Sequence, residues 1–224
     1  MDQFGICAKY WQPGKAKTRL GATVGHAAAS GLSKRFLDTL LRRFRGVAQR
    51  RVLAYTPPER RAEFAALAAG AWSLEAQAGE DLGQRMQHYF AAAFRNGVRR
   101  VVLIGSDTPT LPLEYVNKAF DLLKTYPVVL GPADDGGYYL VGTAGQVPPI
   151  FTDVAWSTPL VWSQTQSRLQ AAGVRCGVLP AWYDVDDLAA LRRMDQELAA
   201  QPVLDAALGA LRKDIARVLD GHHA

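Results

Sequence analysis

The sequence predicts a single α/β domain over residues 1–224, a three-layer α/β/α sandwich with a mostly parallel central sheet and C-terminal helices from about residue 187. Three observations carry that expectation. Short apolar runs alternate with stretches of helical spacing, the pattern of parallel strands joined by right-handed crossovers. The run Val101-Val102-Leu103-Ile104 is apolar without interruption, as in a strand buried on both faces. A chain of 224 residues is long enough for one large core, and it shows no internal repeat, low-complexity tract or interdomain linker.

The first strand candidate is Phe4-Gly5-Ile6-Cys7-Ala8. Lys9 to Leu20 follows as a loop at its carboxyl end, rich in turn formers and cations. Its Pro13-Gly14 turn, then Lys15, Lys17 and Arg19, suits backbone N–H groups and cations wrapped around a phosphate chain. A solvated basic loop explains the same composition, and the Walker pattern is not matched. Leu32 to Phe44 sets Leu32, Phe36, Leu37, Leu40, Leu41 and Phe44 on one broad helical face that packs on the sheet.

Val52 to Tyr55 is the second strand, and Thr56-Pro57-Pro58 breaks the chain before a helix over Glu59 to Ala69. Trp72 to Ala76 reads as another strand. From Gln77 a polar turn containing Gly79 and Gly83 runs into a helix with apolar positions at Met86, Tyr89, Phe90 and Phe94. Asp81 reads first as that helix's N-cap, in a turn that also suits ligand contact.

The central strand Val101–Ile104 stops at Gly105, which delivers Ser106 and Asp107 to the rim where ligands of open α/β sheets sit. Thr108-Pro109 and Leu111-Pro112 hold the following residues extended until Pro112 opens a helix. Asp107 has two readings, a ligand-facing carboxylate or a cap of its own turn. Tyr115 to Leu123 is helical, and Pro127 to Leu130 is a strand. Gly131 to Gly142 then brings Asp134 and Asp135 beside Gly136 and Gly137 ahead of an aromatic strand, which suits either close backbone approach to a ligand or a plain Asp-Gly hairpin. Trp156-Ser157-Thr158-Pro159 starts a helix with Ser157 or Thr158 as cap. Val174 to Leu179 is a strand leading into a second carboxylate cluster, Asp184, Asp186 and Asp187. The tail from Leu188 to Leu219 forms two amphipathic helices split near Gln201-Pro202.

The net charge of +5 is compatible with an anionic ligand, but the cations are scattered. Arg42, Arg43, Arg45, Arg50 and Arg51 are the densest group, and they flank a helix end where cations complement the dipole. No nucleic-acid reader motif accompanies them, so nucleic acid is not an expected partner. Cys7 and Cys176 stand in no metal-ligand spacing and read as small core residues. His222-His223 is too terminal to form a metal site. No signal peptide and no apolar run approaching ~20 residues is present, so no membrane association and a cytoplasmic location are expected. A homo-oligomer is compatible with this composition.

Five motifs in order carry a resemblance: F-x-x-x-A-K-x-x-x-P-G-x-x-K-T-R-L from Phe4 to Leu20, then G-E-D-L-G-x-R-M, G-S-D-x-P-x-L-P, G-P-A-x-D-G-G-Y-Y-L and W-S-T. From Phe4 to about Leu188 the chain resembles an uncharacterised bacterial glycosyltransferase-like family of the nucleotide-diphospho-sugar transferase superfamily, related to guanylyltransferases acting on phospholactate and molybdopterin. The resemblance implies a Rossmann-like, GT-A-like fold and a metal-dependent nucleotidyltransferase that moves an NMP from an NTP to a small, phosphorylated acceptor with release of pyrophosphate. A glycosyltransferase using a nucleotide-sugar donor and a non-catalytic nucleotide-binding module are the alternatives. It further implies that Lys17, Arg19 and Asp107 are catalytic, and that Asp107 and Asp186 hold Mg²⁺ or Mn²⁺. Ala8, Lys9, Gly14, Lys17, Arg19, Gly79, Asp81, Gly83 and Ser106 are the implied nucleotide-binding residues, and Asp135, Gly136 and Gly137 the acceptor-binding ones. Where related enzymes open with a tighter L-x-G-G-x-G-x-R loop, this chain has a longer one carrying Trp11 and Pro13.

Overall fold

Among the described residues, seven strands form one sheet in the order β3-β2-β1-β4-β6-β5-β7. They are β1 (Asp2–Lys9), β2 (Arg50–Thr56), β3 (Ser73–Ala76), β4 (Arg100–Gly105), β5 (Val128–Pro132), β6 (Tyr138–Ala144) and β7 (Cys176–Val178). The computed structural model describes residues 1–222, so His223 of the terminal histidine pair lies outside the described residues. Only β6 among the named strands runs against its neighbours β4 and β5. Residues 133–137 close a hairpin between β5 and β6, the turn that the Asp-Gly composition favours.

Among the described residues there are eight α-helices: α1 (Thr18–Val24), α2 (His26–Arg43), α3 (Arg61–Ala68), α4 (Leu82–Arg95), α5 (Leu113–Leu122), α6 (Val161–Ala171), α7 (Leu188–Ala200) and α8 (Ala206–His222). The pleat sorts successive β4 side chains to opposite faces. Val102 and Ile104 join Phe4, Ile6, Leu53 and residues of α2, α3 and α5, while Val101 and Leu103 join Val52, Ala54 and residues of α4 and α6. Helices therefore lie on both sides, and the Val101–Ile104 stretch of β4 is apolar because it is buried on both faces. A third cluster packs Leu20 and Phe36 against Val185, Leu191, Met194, Leu198, Leu211 and Ile215. That cluster pulls the segment around Val185 toward the loop after β1.

Three local expectations are corrected. The loop predicted from Lys9 to Leu20 gives way at Thr18 to α1, and α2 begins at His26, well before Leu32. Ala27, Ala28 and Ala29 are strong helix formers that extend α2 toward its N-terminus, and Gly25 at φ 89° separates the two helices. Neither Ser157 nor Thr158 occupies the N-cap of α6; Leu160 does, without a side-chain cap. Pro159 disfavours helical geometry at Thr158, and Thr158 Oγ1 instead donates to the Ala155 carbonyl at 2.7 Å.

Candidate active site

The loop after β1 ends at Lys17, whose backbone adopts the left-handed conformation (φ 49°, ψ 47°) just before α1. For a lysine this conformation is uncommon and has to be held by its surroundings. Here it accompanies an inward side chain, only 3% exposed, whose ammonium lies 2.6 Å from Asp107 Oδ1 and 2.7 Å from Asp186 Oδ1. Arg19 Nη2 donates to the other oxygen of Asp186 at 2.8 Å and stays largely exposed. Burial works against the Lys17 charge, but the two carboxylates outweigh it and raise its pKa. Asp186 is the mirror case: burial pushes it up, and Lys17 with Arg19 holds it below the ordinary carboxylate value.

Asp107 sits two residues past the end of β4, and Asp186 precedes α7. A backbone hydrogen bond from Val185 N to Asp107 O, 2.9 Å, ties the two segments together. Asp184 stands on the same segment with its carboxyl pushed up to about 7, by burial first and then by the charge on Asp107, with Lys17 opposing. Asp187 caps α7 by accepting from Ala190 N at 2.9 Å.

Two hollows meet at Asp107. One of about 430 Å³ runs along Ala8, Lys9, Gln77, Arg85 and Ser106. The other, about 650 Å³, is bounded by Arg19, Asp135, Gly137, Thr158, Asp184 and Asp186. Gly105, Leu82, Tyr138, Tyr139 and Ser157 border both. The hairpin loop is braced from α7, where Arg193 reaches Asp134 at 3.0 Å and Glu197 at 3.0 Å.

The residues singled out in the sequence thus separate by position. Lys17, Arg19, Asp107 and Asp186 converge, Ala8, Lys9 and Ser106 line one hollow, and Asp135 and Gly137 line the other. Asp135 Oδ1 also accepts from Gly137 N at 2.9 Å. Gly136, at φ 88°, lies where a Cβ would meet Pro159 O at 2.4 Å, so it lets the hairpin touch the opposite wall. Gly79 packs on the start of α4, and its carbonyl accepts from Arg85 Nε at 3.0 Å. Asp81 is the N-cap of α4, accepting from Gln84 N at 2.8 Å. Gly83 gives close approach to Phe151 O and Trp156, and Gly14 stands at the exposed tip of its turn. Asp184, Gln77, Arg85 and Tyr138 enter the site without having been singled out. Three of them carried a sequence signal, Asp184 in the acidic cluster, Arg85 in the G-E-D-L-G-x-R-M motif and Tyr138 in the G-P-A-x-D-G-G-Y-Y-L motif, whereas Gln77 carried none.

Among the described residues, no three His, Cys, Asp or Glu side chains are grouped to hold a metal ion unaided. Asp107 and Asp186 nevertheless both bond one nitrogen, so their facing oxygens are separated by no more than the sum of those two bonds.

Residues 39–158 match the family described as uncharacterized proteins conserved in bacteria (DUF2064). The chain belongs to this family. The DUF2064 chain is 33% identical over 171 residues to a 3-phospho-D-glycerate guanylyltransferase of Phenylobacterium zucineum (strain HLK1), spanning 74% of this chain and 76% of the relative. A crystal structure from Desulfovibrio desulfuricans G20, described as a nucleotide-diphospho-sugar transferase, superposes with a TM-score of 0.89 at 32% identity, covering 98% and 97% of the two chains. The 4-diphosphocytidyl-2C-methyl-D-erythritol synthase of Anaerococcus prevotii DSM 20548 shares the fold, with a TM-score of 0.60 at 9% identity over 89% and 98%. This DUF2064 protein is a transferase. No described helix is long and apolar enough to cross a membrane.

Proposed function

We propose that the protein is a metal-dependent nucleotidyltransferase that moves an NMP from an NTP to a small phosphorylated acceptor and releases pyrophosphate, on a GT-A-like, Rossmann-like scaffold. The meeting of Lys17, Arg19, Asp107 and Asp186 between two hollows is the observation that carries this reading. It lies beyond the carboxyl end of β4, where open α/β sheets take their ligands. The guanylyltransferase relative is named for 3-phospho-D-glycerate, which makes GTP and a phosphorylated hydroxy acid the first substrates to test.

Asp107 and Asp186 are the proposed ligands for Mg²⁺ or Mn²⁺. Their gathering around the Lys17 ammonium supports the assignment, because carboxylate oxygens drawn to one positive centre are the donors a hard cation takes. Bound there, the ion supplies charge stabilisation to the phosphate oxygens. Lys17 and Arg19 add positive charge beside the triphosphate, where it builds up on the departing pyrophosphate. Ala8, Lys9 and Ser106 line the nucleotide half, and Asp135, Gly136 and Gly137 shape the acceptor half. A phosphate acceptor is already anionic near neutral pH, so its oxygen attacks the α-phosphorus without a dedicated base. The bond from the α-phosphorus to the bridging oxygen breaks, and its electron pair leaves with pyrophosphate.

The test is incubation with Mg²⁺, each NTP and 3-phosphoglycerate, with pyrophosphate assayed and the adduct weighed by mass spectrometry. Pyrophosphate together with an NMP adduct is the expected result. Nucleoside diphosphate released from sugar nucleotides, with no pyrophosphate from any NTP, would instead establish glycosyl transfer. A melting temperature unmoved by every nucleotide at millimolar concentration with Mg²⁺ would end the nucleotide-site reading.

A further inference from the structure

We infer that Glu75 selects guanine, accepting hydrogen bonds from the base N1–H and its exocyclic N2 amine. The inference rests on the nucleotidyltransferase reading and names the base that reading leaves open.

The argument begins with strand register. Gly105 pairs with Cys7, Cys7 with Ala54, and Ala54 with Glu75, so all four lie in one row across β4, β1, β2 and β3. Three strand spacings of ~4.8 Å set the Glu75 backbone roughly 14 Å from Gly105, and Asp107 stands two residues beyond Gly105. A nucleoside monophosphate with its phosphate at Asp107 can bridge that gap once the two side chains are counted.

A trough joins the two ends. Beside the hollow of about 430 Å³ lies a second one of about 350 Å³, lined by Ala54, Glu75, Ala78 and Arg95, and the two share Cys7, Gln77, Arg85, Met86 and Leu103. Each is within the usual range for small-ligand pockets. Gln77 is fixed as part of the lining, its amide nitrogen donating to Ala54 O at 2.9 Å and Ala8 O at 3.1 Å. Met86 and Leu103 offer apolar surface to a ring. Arg85 uses Nε on Gly79 O, and its remaining N–H groups are the donors available for the base O6 or N7.

Glu75 is the unexplained member of this lining. It is half-buried, and among the described residues its carboxylate has no hydrogen-bond or ion-pair partner. Burial pushes its carboxyl above the ordinary glutamate range, with Arg50 and Arg95 opposing from a distance. A partly desolvated anion without a partner is costly unless something fills its lone pairs. Guanine is the common base that presents two adjacent donors on its Watson–Crick edge. Adenine and cytosine place a ring-nitrogen acceptor there, and uracil flanks its one N–H with carbonyls, so each would turn a lone pair toward the anion.

Calorimetric titration of the full-length protein with GTP, ITP, XTP and ATP, all with Mg²⁺, tests the assignment. The wild type should bind GTP about 10- to 100-fold more tightly than ITP, which lacks the amine, and than XTP, which replaces it with a carbonyl. Glu75→Gln should lose GTP affinity by a similar factor and gain XTP, because a carboxamide accepts from N1–H and donates to the new carbonyl. A role confined to folding would not reverse that order. Equal wild-type affinity for GTP and ITP, or tighter binding of ATP, overturns the inference even if Glu75→Gln fails to fold. Unchanged ranking in a folded Glu75→Gln overturns it and leaves nucleotidyl transfer standing. Binding of no nucleotide overturns both.

Discussion

Replacing Lys17 by Met keeps an unbranched apolar stem and the left-handed backbone but removes the ammonium shared by Asp107 and Asp186. Removing one partner of a buried ion pair costs about 3–5 kcal/mol, whereas an exposed pair is worth about 0–1 kcal/mol. Lys17 is 3% exposed while its partners are 42% and 33% exposed, which places the loss between these limits, at about 2 kcal/mol. For a chain of this size that lowers Tm by roughly 4–8 °C. The pH dependence follows from the signs. The raised Lys17 pKa gives stability that is complete below the ordinary 10.5 and is lost as pH rises through the folded value. The lowered Asp186 pKa gives stability present above the ordinary 3.8 and lost as pH falls through the folded value. The gap between wild type and variant is therefore widest between those limits and narrows in acid. Thermal denaturation of both proteins in EDTA, across pH, measures it. A gap under about 1 °C at neutral pH, or one that widens in acid, would refute the clamp.

Arg19→Ala should leave Tm nearly unchanged, since the side chain is 66% exposed and surface changes usually move stability by under about 0.5 kcal/mol; nucleotide affinity measured by calorimetry should fall. Asp107→Asn and Asp186→Asn should each abolish Mg²⁺-dependent nucleotide binding, with the double variant scarcely worse than either. Additive losses with metal dependence retained would mean that the two carboxylates act separately. Gly83→Ala should destabilise by about 1–3 kcal/mol through overpacking, because the new Cβ would lie 2.1 Å from Phe151 O and 2.5 Å from Trp156 Nε1; an unshifted melting curve would count against that packing.

The strands were legible because their apolar runs are continuous and sharply ended: Val101–Ile104 stops at Gly105, and β4 does end there. Position at a strand end likewise marked Asp107. What the sequence could not show is that Lys17 is buried, because a lysine among Lys15, Thr18 and Arg19 reads as solvated until the fold brings Asp186 to it. Contacts across 169 residues leave no periodic trace. α1 was hidden for a local reason, since seven residues between a turn and Gly25 are too few to display helical spacing. Glu75 escaped because its meaning depends on the row of strands beside it and not on its neighbours in the chain.

The hydrogen bond from Val185 to the carbonyl of Asp107 has a consequence for synthesis. A chain emerging from the ribosome carries the loop after β1, β4 and Asp107 long before it carries Asp184 and Asp186. Until that last segment docks, Lys17 has one carboxylate where the finished protein offers two, and Leu20 and Phe36 lack the apolar cover of Val185 and α7. Assembly of the Lys17 cluster thus waits on nearly the whole chain, and a fragment released early retains the most recognisable motifs without the second carboxylate.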